Sequence, residues 1–213
     1  MRSVSLPGPA GRLEALLNEG APAAPFAALV CHPHPHGGGS MHNTVVYHVM
    51  KTLNEPQWGL GWPVLRFNFR GTGLSQGTHD GKAETDDVLA ALDWLENEYN
   101  RPLVAVGFSF GAAMALNACC GRGNIRALVA LGLPTSAQGC EYRYPCLKNC
   151  TMPKLFLSGA NDRYAPAAQL AQVAASTPQP TKLVLLPRAD HFFTGQLEAL
   201  QGTLAGWLKE QLR

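Results

Sequence analysis

The 213-residue sequence predicts an α/β fold: a mostly parallel central sheet of about eight strands, with helices on both faces. Two observations carry this. Short runs rich in Val, Leu and Phe recur along the chain, and they are continuous rather than alternating, as strands covered on both faces require. Between them lie stretches whose apolar residues fall at three- and four-residue steps, the period of a helix. Alternation sustained over such a length argues βαβ units joined by right-handed crossovers.

Two weaker strands, Arg2–Leu6 and Arg12–Leu17, open the chain as a hairpin around "PGPAG". The apolar runs follow as Ala27–Cys31, Val64–Phe69, Leu103–Gly107, Ala127–Leu133, Lys154–Leu157 and Leu183–Leu186. The clearest helix is Lys82–Tyr99, with Val88, Leu89, Leu92 and Leu95 on one face. Ala112–Cys119, Ala167–Ala175 and Gln196–Leu212 read the same way. No linker, repeat or low-complexity tract interrupts this order, so one domain spanning 1–213 is expected.

Composition narrows the function classes. The chain is 46% hydrophobic and 15% charged, as a packed globular protein should be. A net charge of +2 without any run of like charges gives no reason to expect nucleic acid as a partner. No stretch approaches the ~18 continuous apolar residues of a membrane span, so no membrane partner is expected either. The segment "MRSVSLPGPAGRLE" lacks an apolar signal region, which makes the cytoplasm the expected location. The six cysteines contain no C-x-x-C pair, and they read as free thiols that mostly pack.

The pattern G-x-S-x-G occurs twice, at Gly73–Gly77 ("GLSQG") and Gly107–Gly111 ("GFSFG"). A nucleophile elbow needs a buried strand that runs into a tight turn and then a helix, which lifts the serine hydroxyl above the sheet. "LVAV" leads straight into "GFSFG", and "AAMALNA" continues as a helix, so Ser109 qualifies. Ser75 lies between "RGTG" and "QGTHDGKAET", a polar loop with no helix behind it, and is expected to pack or shape a pocket.

A serine is a poor nucleophile without a base, and the base needs an orienting carboxylate. On such an elbow the chain order is serine, acid, histidine. After Ser109 the chain has only one histidine, His191, in the loop "RADHFF" that follows the last strand. The aspartates after Ser109 are Asp162 and Asp190. Asp162 follows the strand "KLFL" at the carboxyl edge of the sheet, where α/β ligand sites form. Asp190 is adjacent to the histidine, so its side chain should point away from that ring; Glu141 is the remaining rival. The expected catalytic set is Ser109, Asp162 and His191.

The stretch "CHPHPHGGGSMHN" holds His32, His34, His36 and His42, four of the seven histidines. As a metal site it has three alternating imidazoles, but Pro33 and Pro35 stiffen the run, and no second His, Cys or Asp cluster is spaced to join it. As a backbone loop it fits better. A developing oxyanion is held by the N–H of the residue after the nucleophile, here Phe110, and by an N–H from the loop after the third strand. Pro33 and Pro35 have no N–H, which leaves His34, His36 or the glycines. His36 is the favoured donor and Gly37 the next. No metal and no cofactor are expected.

With these elements in place the chain resembles the α/β-hydrolase superfamily, and more narrowly the small lidless bacterial hydrolases akin to dienelactone hydrolase. "HPHPHGGGSMHN", "RFNFRGTGLSQG", "GFSFG", "SGANDRYAP" and "ADHFF" stand in the order such proteins show, over nearly the whole chain. The resemblance implies Ser109 as nucleophile, His191 as general base then acid, and Asp162 as its orienter. Dienelactone hydrolase itself uses cysteine as nucleophile, so lactone hydrolysis is not implied here. Relatives often insert a cap where this chain has only Pro134–Pro153, too short for a helical lid. An open site follows, bordered by Tyr142, Tyr144, Phe192 and Phe193. Cys140, Cys146 and Cys150 lie in the same segment, and their oxidation would alter that border. Arg70 is expected to fix neighbouring loops.

The function expected is hydrolysis of small-molecule carboxylic esters or thioesters through an acyl-enzyme, with acyl transfer by the same groups still open. Two readings compete: a non-catalytic scaffold of the same fold, and a metal-dependent enzyme built on the histidine loop.

Overall fold

A computed structural model of the chain describes residues 1–137 and 140–212, with the side chains of Ala137, Cys140 and Glu141 left undescribed. The rival acid Glu141 and the redox expectation for Cys140 therefore lie outside the described side chains.

Strands β1 (Arg2–Gly8) and β2 (Gly11–Asn18) form the opening hairpin, in the register Arg2↔Leu17 to Gly8↔Gly11. Then come β3 (Ala27–Cys31), helix α1 (Thr44–Asn54), β4 (Val64–Phe67), α2 (Glu84–Tyr99), β5 (Leu103–Phe108), α3 (Phe110–Cys119) and β6 (Ile125–Leu131). A small hairpin of β7 (Ser136–Ala137) and β8 (Cys140–Glu141) precedes β9 (Lys154–Gly159), α4 (Ala167–Ala175), β10 (Thr181–Leu186) and α5 (Leu197–Gln211). The main sheet has eight strands in the order β1-β2-β4-β3-β5-β6-β9-β10.

This sheet is mixed rather than wholly parallel. β2 pairs antiparallel with both β1 and β4, whereas β4, β3, β5, β6, β9 and β10 are mutually parallel. The parallel block places the carboxyl ends of β5, β9 and β10 on one edge, so the three loops that matter below emerge side by side.

The continuous apolar runs are explained by burial on both faces. Along β3, Ala27, Leu29 and Cys31 join the core beneath α2 and α3, while Ala28 and Val30 join the core beneath α1 and α5. β5 divides in the same way, with Leu103 and Ala105 on one side and Val104, Val106 and Phe108 on the other. Truncating a leucine in either layer to alanine typically costs about 2–5 kcal/mol.

Helix α1 has no counterpart among the sequence expectations. Its signals are Asn43, whose side chain accepts a hydrogen bond from the Val45 N–H as an N-cap, and the buried set Val45, Val46, Val49, Met50 and Leu53. Its β-branched first turns are weak helix formers, and packing against the sheet and α5 overrides that preference.

Candidate active site

β5 runs into Ser109, which adopts φ 55° and ψ −119°. A non-glycine residue in that region is strained, at a cost of about 1–3 kcal/mol. The neighbours hold it there. The Ser109 N–H donates to Leu131 O at the end of β6 (2.8 Å), and Ser109 O accepts from the Ala112 and Ala113 N–H groups as α3 begins. A Cβ on Gly107 would lie 2.3 Å from Gly111 O, and one on Gly111 would lie 2.4 Å from His32 O. Only glycine allows strand, turn and helix to approach so closely.

Ser109 Oγ lies 2.9 Å from His191 Nε2, and His191 Nδ1 lies 2.8 Å from Asp162 Oδ2. The three sequence-predicted side chains are thus joined in one line of hydrogen bonds. Because Asp162 can only accept, Nδ1 carries the proton and Nε2 is left to receive the serine's. Asp162 and His191 are both buried, and Asp162 is fully partnered: Oδ1 accepts from the Tyr164 and Ala165 N–H groups, and Oδ2 also accepts from the Ser158 hydroxyl at 3.0 Å. Burial pushes the Asp162 pKa up, but the hydrogen bond and charge of His191 and the donors from Tyr164 and Ser158 outweigh it, and the net shift is downward.

The rival aspartate is occupied elsewhere. Asp190 accepts from the Phe192 and Thr194 N–H groups and the Thr194 hydroxyl, which ties up its own turn. Two residues of the site escaped the sequence reading. Ser158 sits at the end of β9 in "KLFLSG", where a serine in an otherwise apolar strand was the available signal. Gly132, at φ 52°, follows β6, and a Cβ there would meet His191 Cε1 and Nδ1 at 3.2 Å.

Ser75 is structural in its contacts. Its hydroxyl donates to Asn68 O at 2.7 Å and accepts from the Glu14 N–H at 2.9 Å, stitching its loop to β2. Arg70 grips Asp87 of α2 through Nε and Nη2, which fixes the loop after β4 as expected.

The aromatic border is only partly as expected. Phe192 is 54% exposed beside His191, at a ring separation of 5.2 Å, and Tyr164, not anticipated, is 38% exposed at 4.7 Å from the same ring. Phe193 is fully buried in the core, and Tyr144 packs against the core with its hydroxyl on Pro134 O. Tyr142 is partly buried, and its N–H donates to Thr135 O. Cys146 and Cys150 are free thiols.

The histidine loop divides into separate roles. His32 is buried, Nε2 accepting from the Phe69 N–H and Nδ1 lying 2.6 Å from Pro33 O, and burial lowers its pKa to about 4. It is a neutral core histidine. The N–H groups expected from this loop, those of His36 and Gly37, are engaged within it. The His36 N–H donates to His34 Nδ1 at 3.2 Å, and the Gly37 N–H donates to His34 O at 3.0 Å, because residues 35–37 close into a 3₁₀ turn. Among the described residues, the N–H groups of His34 and Phe110 have no hydrogen-bond partner, and the rings of those two residues lie 5.0 Å apart.

Fold and site together are those of an α/β hydrolase without a cap. The chain belongs to the alpha/beta hydrolase domain family, which it matches over residues 28–204. It is similar to a lidless serine hydrolase of Xanthomonas campestris, at 30% identity, TM-score 0.86, 98% of this chain and 94% of that one. A serine hydrolase homologue from Coxiella burnetii is similar at 31% identity and TM-score 0.87, covering 97% of each chain. An uncharacterized protein of Rickettsia prowazekii is 34% identical over 98% of this chain and 89% of its own. The resemblance to dienelactone hydrolase in particular is not what these likenesses single out.

Proposed function

We propose that the chain is a serine hydrolase that cleaves carboxylic esters, thioesters included, of small molecules through an acyl-enzyme. The observation that carries this reading is the hydrogen-bonded line Ser109–His191–Asp162 set on a strained elbow at the start of α3. Ser109 Oγ attacks the acyl carbonyl while His191 Nε2 takes its proton, and Asp162 steadies the imidazolium. The oxyanion is received by the Phe110 N–H and, in place of His36, by the His34 N–H; each such donor is worth about 3 kcal/mol in the transition state. His191 then protonates the departing alkoxide or thiolate. In the second half it takes a proton from water, which attacks the acyl carbon and releases the acid and Ser109.

The open setting favours small acyl groups that reach the serine directly, with Phe192 and Tyr164 as an apolar rim. Between β6 and β9 the described residues form only β7, β8 and a short turn at Pro145–Asn149. The similarity to a hydrolase described as lidless supports the same view. Among the described residues, no helix is long and apolar enough to cross a membrane. We take the cytoplasm as its place of work.

Labelling with a fluorophosphonate, followed by peptide mapping, tests the reading. The adduct is expected on Ser109, absent in Ser109→Ala and strongly slowed in His191→Ala, with p-nitrophenyl acetate hydrolysis lost in both. A wild-type protein that neither labels nor turns over this ester would point to a binding module on the same fold.

A further inference from the structure

The loop "QGTHD" brings His79 to His34 and His36 of the histidine-rich stretch. We propose that His34, His36 and His79 form a binding site for a divalent transition metal of the zinc type, at the rim of the hydrolase site.

One imidazole nitrogen from each of the three lies within 4.8 Å of the others. The sequence argument against a metal was that no second cluster could join the histidine run, and the fold supplies one from 43 residues further on in the chain, the separation of His36 and His79. The spacing is suited to zinc. Tetrahedral Zn–N bonds of about 2.1 Å put ligand nitrogens roughly 3.4 Å apart, and His34 Nε2 and His79 Nε2 already stand 3.4 Å apart. His36 is exposed, so its ring is free to close the remaining distance.

The surroundings fit a cation. The His79 side chain is only 7% exposed, and its Nδ1 lies 2.6 Å from Oε1 of the fully buried Glu84 but without the alignment of a hydrogen bond. A metal-bound histidine usually donates its far N–H to a carboxylate, and Glu84 stands where a small rotation of the His79 ring would make that bond. Glu84 Oε2 has no hydrogen-bond partner, and the nearby guanidinium of Arg70 is committed to Asp87. The buried carboxylate accepts from the Asp80 N–H and lies against His79, and a metal on the imidazoles would add positive charge beside it.

Binding has a proton consequence. His34 Nδ1 accepts from the His36 N–H in the metal-free protein, so Nε2 carries the ring proton. A metal on Nε2 moves that proton to Nδ1, and the 3.2 Å contact with the His36 N–H is given up.

The test is isothermal titration of chelator-stripped full-length protein with zinc chloride, in a buffer that binds zinc weakly. One equivalent is expected to bind, with His36→Ala and His79→Ala each weakening the affinity at least tenfold. Ser109→Ala and the exposed His42→Ala should leave it unchanged. Because His36 is exposed, its variant folds even where His79→Ala does not. Absence of saturable binding, or binding indifferent to His36→Ala, would overturn the proposal. Loss of binding in Ser109→Ala would do so as well, by placing the metal at the serine instead.

Discussion

The Ser158 hydroxyl donates to Asp162 Oδ2, the same oxygen that accepts the hydrogen bond of His191 Nδ1–H. A buried residue at the end of β9 therefore holds Asp162 in place without reaching the open surface. Ser158→Ala removes one of the donors that hold the carboxylate ionised and aimed. The expected outcome is a fall in kcat of roughly fivefold, the equivalent of about 1 kcal/mol. KM should stay the same, since Ser158 is buried and touches no open surface.

Ser109→Gly should separate strain from chemistry. At φ 55° the serine side chain is unfavourable, whereas glycine is at ease there. The variant is expected to lose ester hydrolysis and yet to melt higher than Ser109→Ala by a few degrees, each kcal/mol being worth about 2–4 °C in a chain of this size. Equal melting temperatures for the two would mean that the elbow is unstrained.

Ser75→Ala is expected to give the opposite pattern. Its hydroxyl serves Asn68 O and the Glu14 N–H, both of which lose their partner. Stability should drop by about 1–3 kcal/mol, visible in thermal or urea unfolding, with kcat nearly unchanged. Loss of activity in a folded Ser75→Ala would transfer the nucleophile to the other motif.

The pH dependence of stability follows from Asp162. Its folded pKa lies below its unfolded value of about 3.9, so the ionised carboxylate stabilises the native state above that pH. The contribution disappears as pH falls through the lower, folded value. Melting temperature measured from pH 7 down to pH 3 should therefore decline less steeply for Asp162→Asn than for wild type. Parallel curves would place the acid sensitivity elsewhere.

Much of this site was legible because its parts are local. A strand, a G-x-S-x-G turn and a helix are contiguous from Leu103 to Cys119, and one histidine followed Ser109, so elimination could find it. What escaped depends on tertiary approach or on turn geometry. The His36 and Gly37 N–H groups expected as donors are taken up by His34 instead, because residues 35–37 wind into a 3₁₀ turn. His79 carries no local sign of its partners, since the grip of Arg70 on Asp87 and the packing of Glu84 bring its loop inward. The expected aromatic border failed at Phe193, where adjacent residues of one turn face opposite ways and only Phe192 is outside.

The parallel block of strands also sets a schedule. Ser109 and its elbow are complete once β5, α3 and β6 have packed, but the imidazole that activates it lies beyond β10, near the end of the chain. The Ser109 contact with His191 therefore exists only in a chain whose last strand, β10, is docked beside β9.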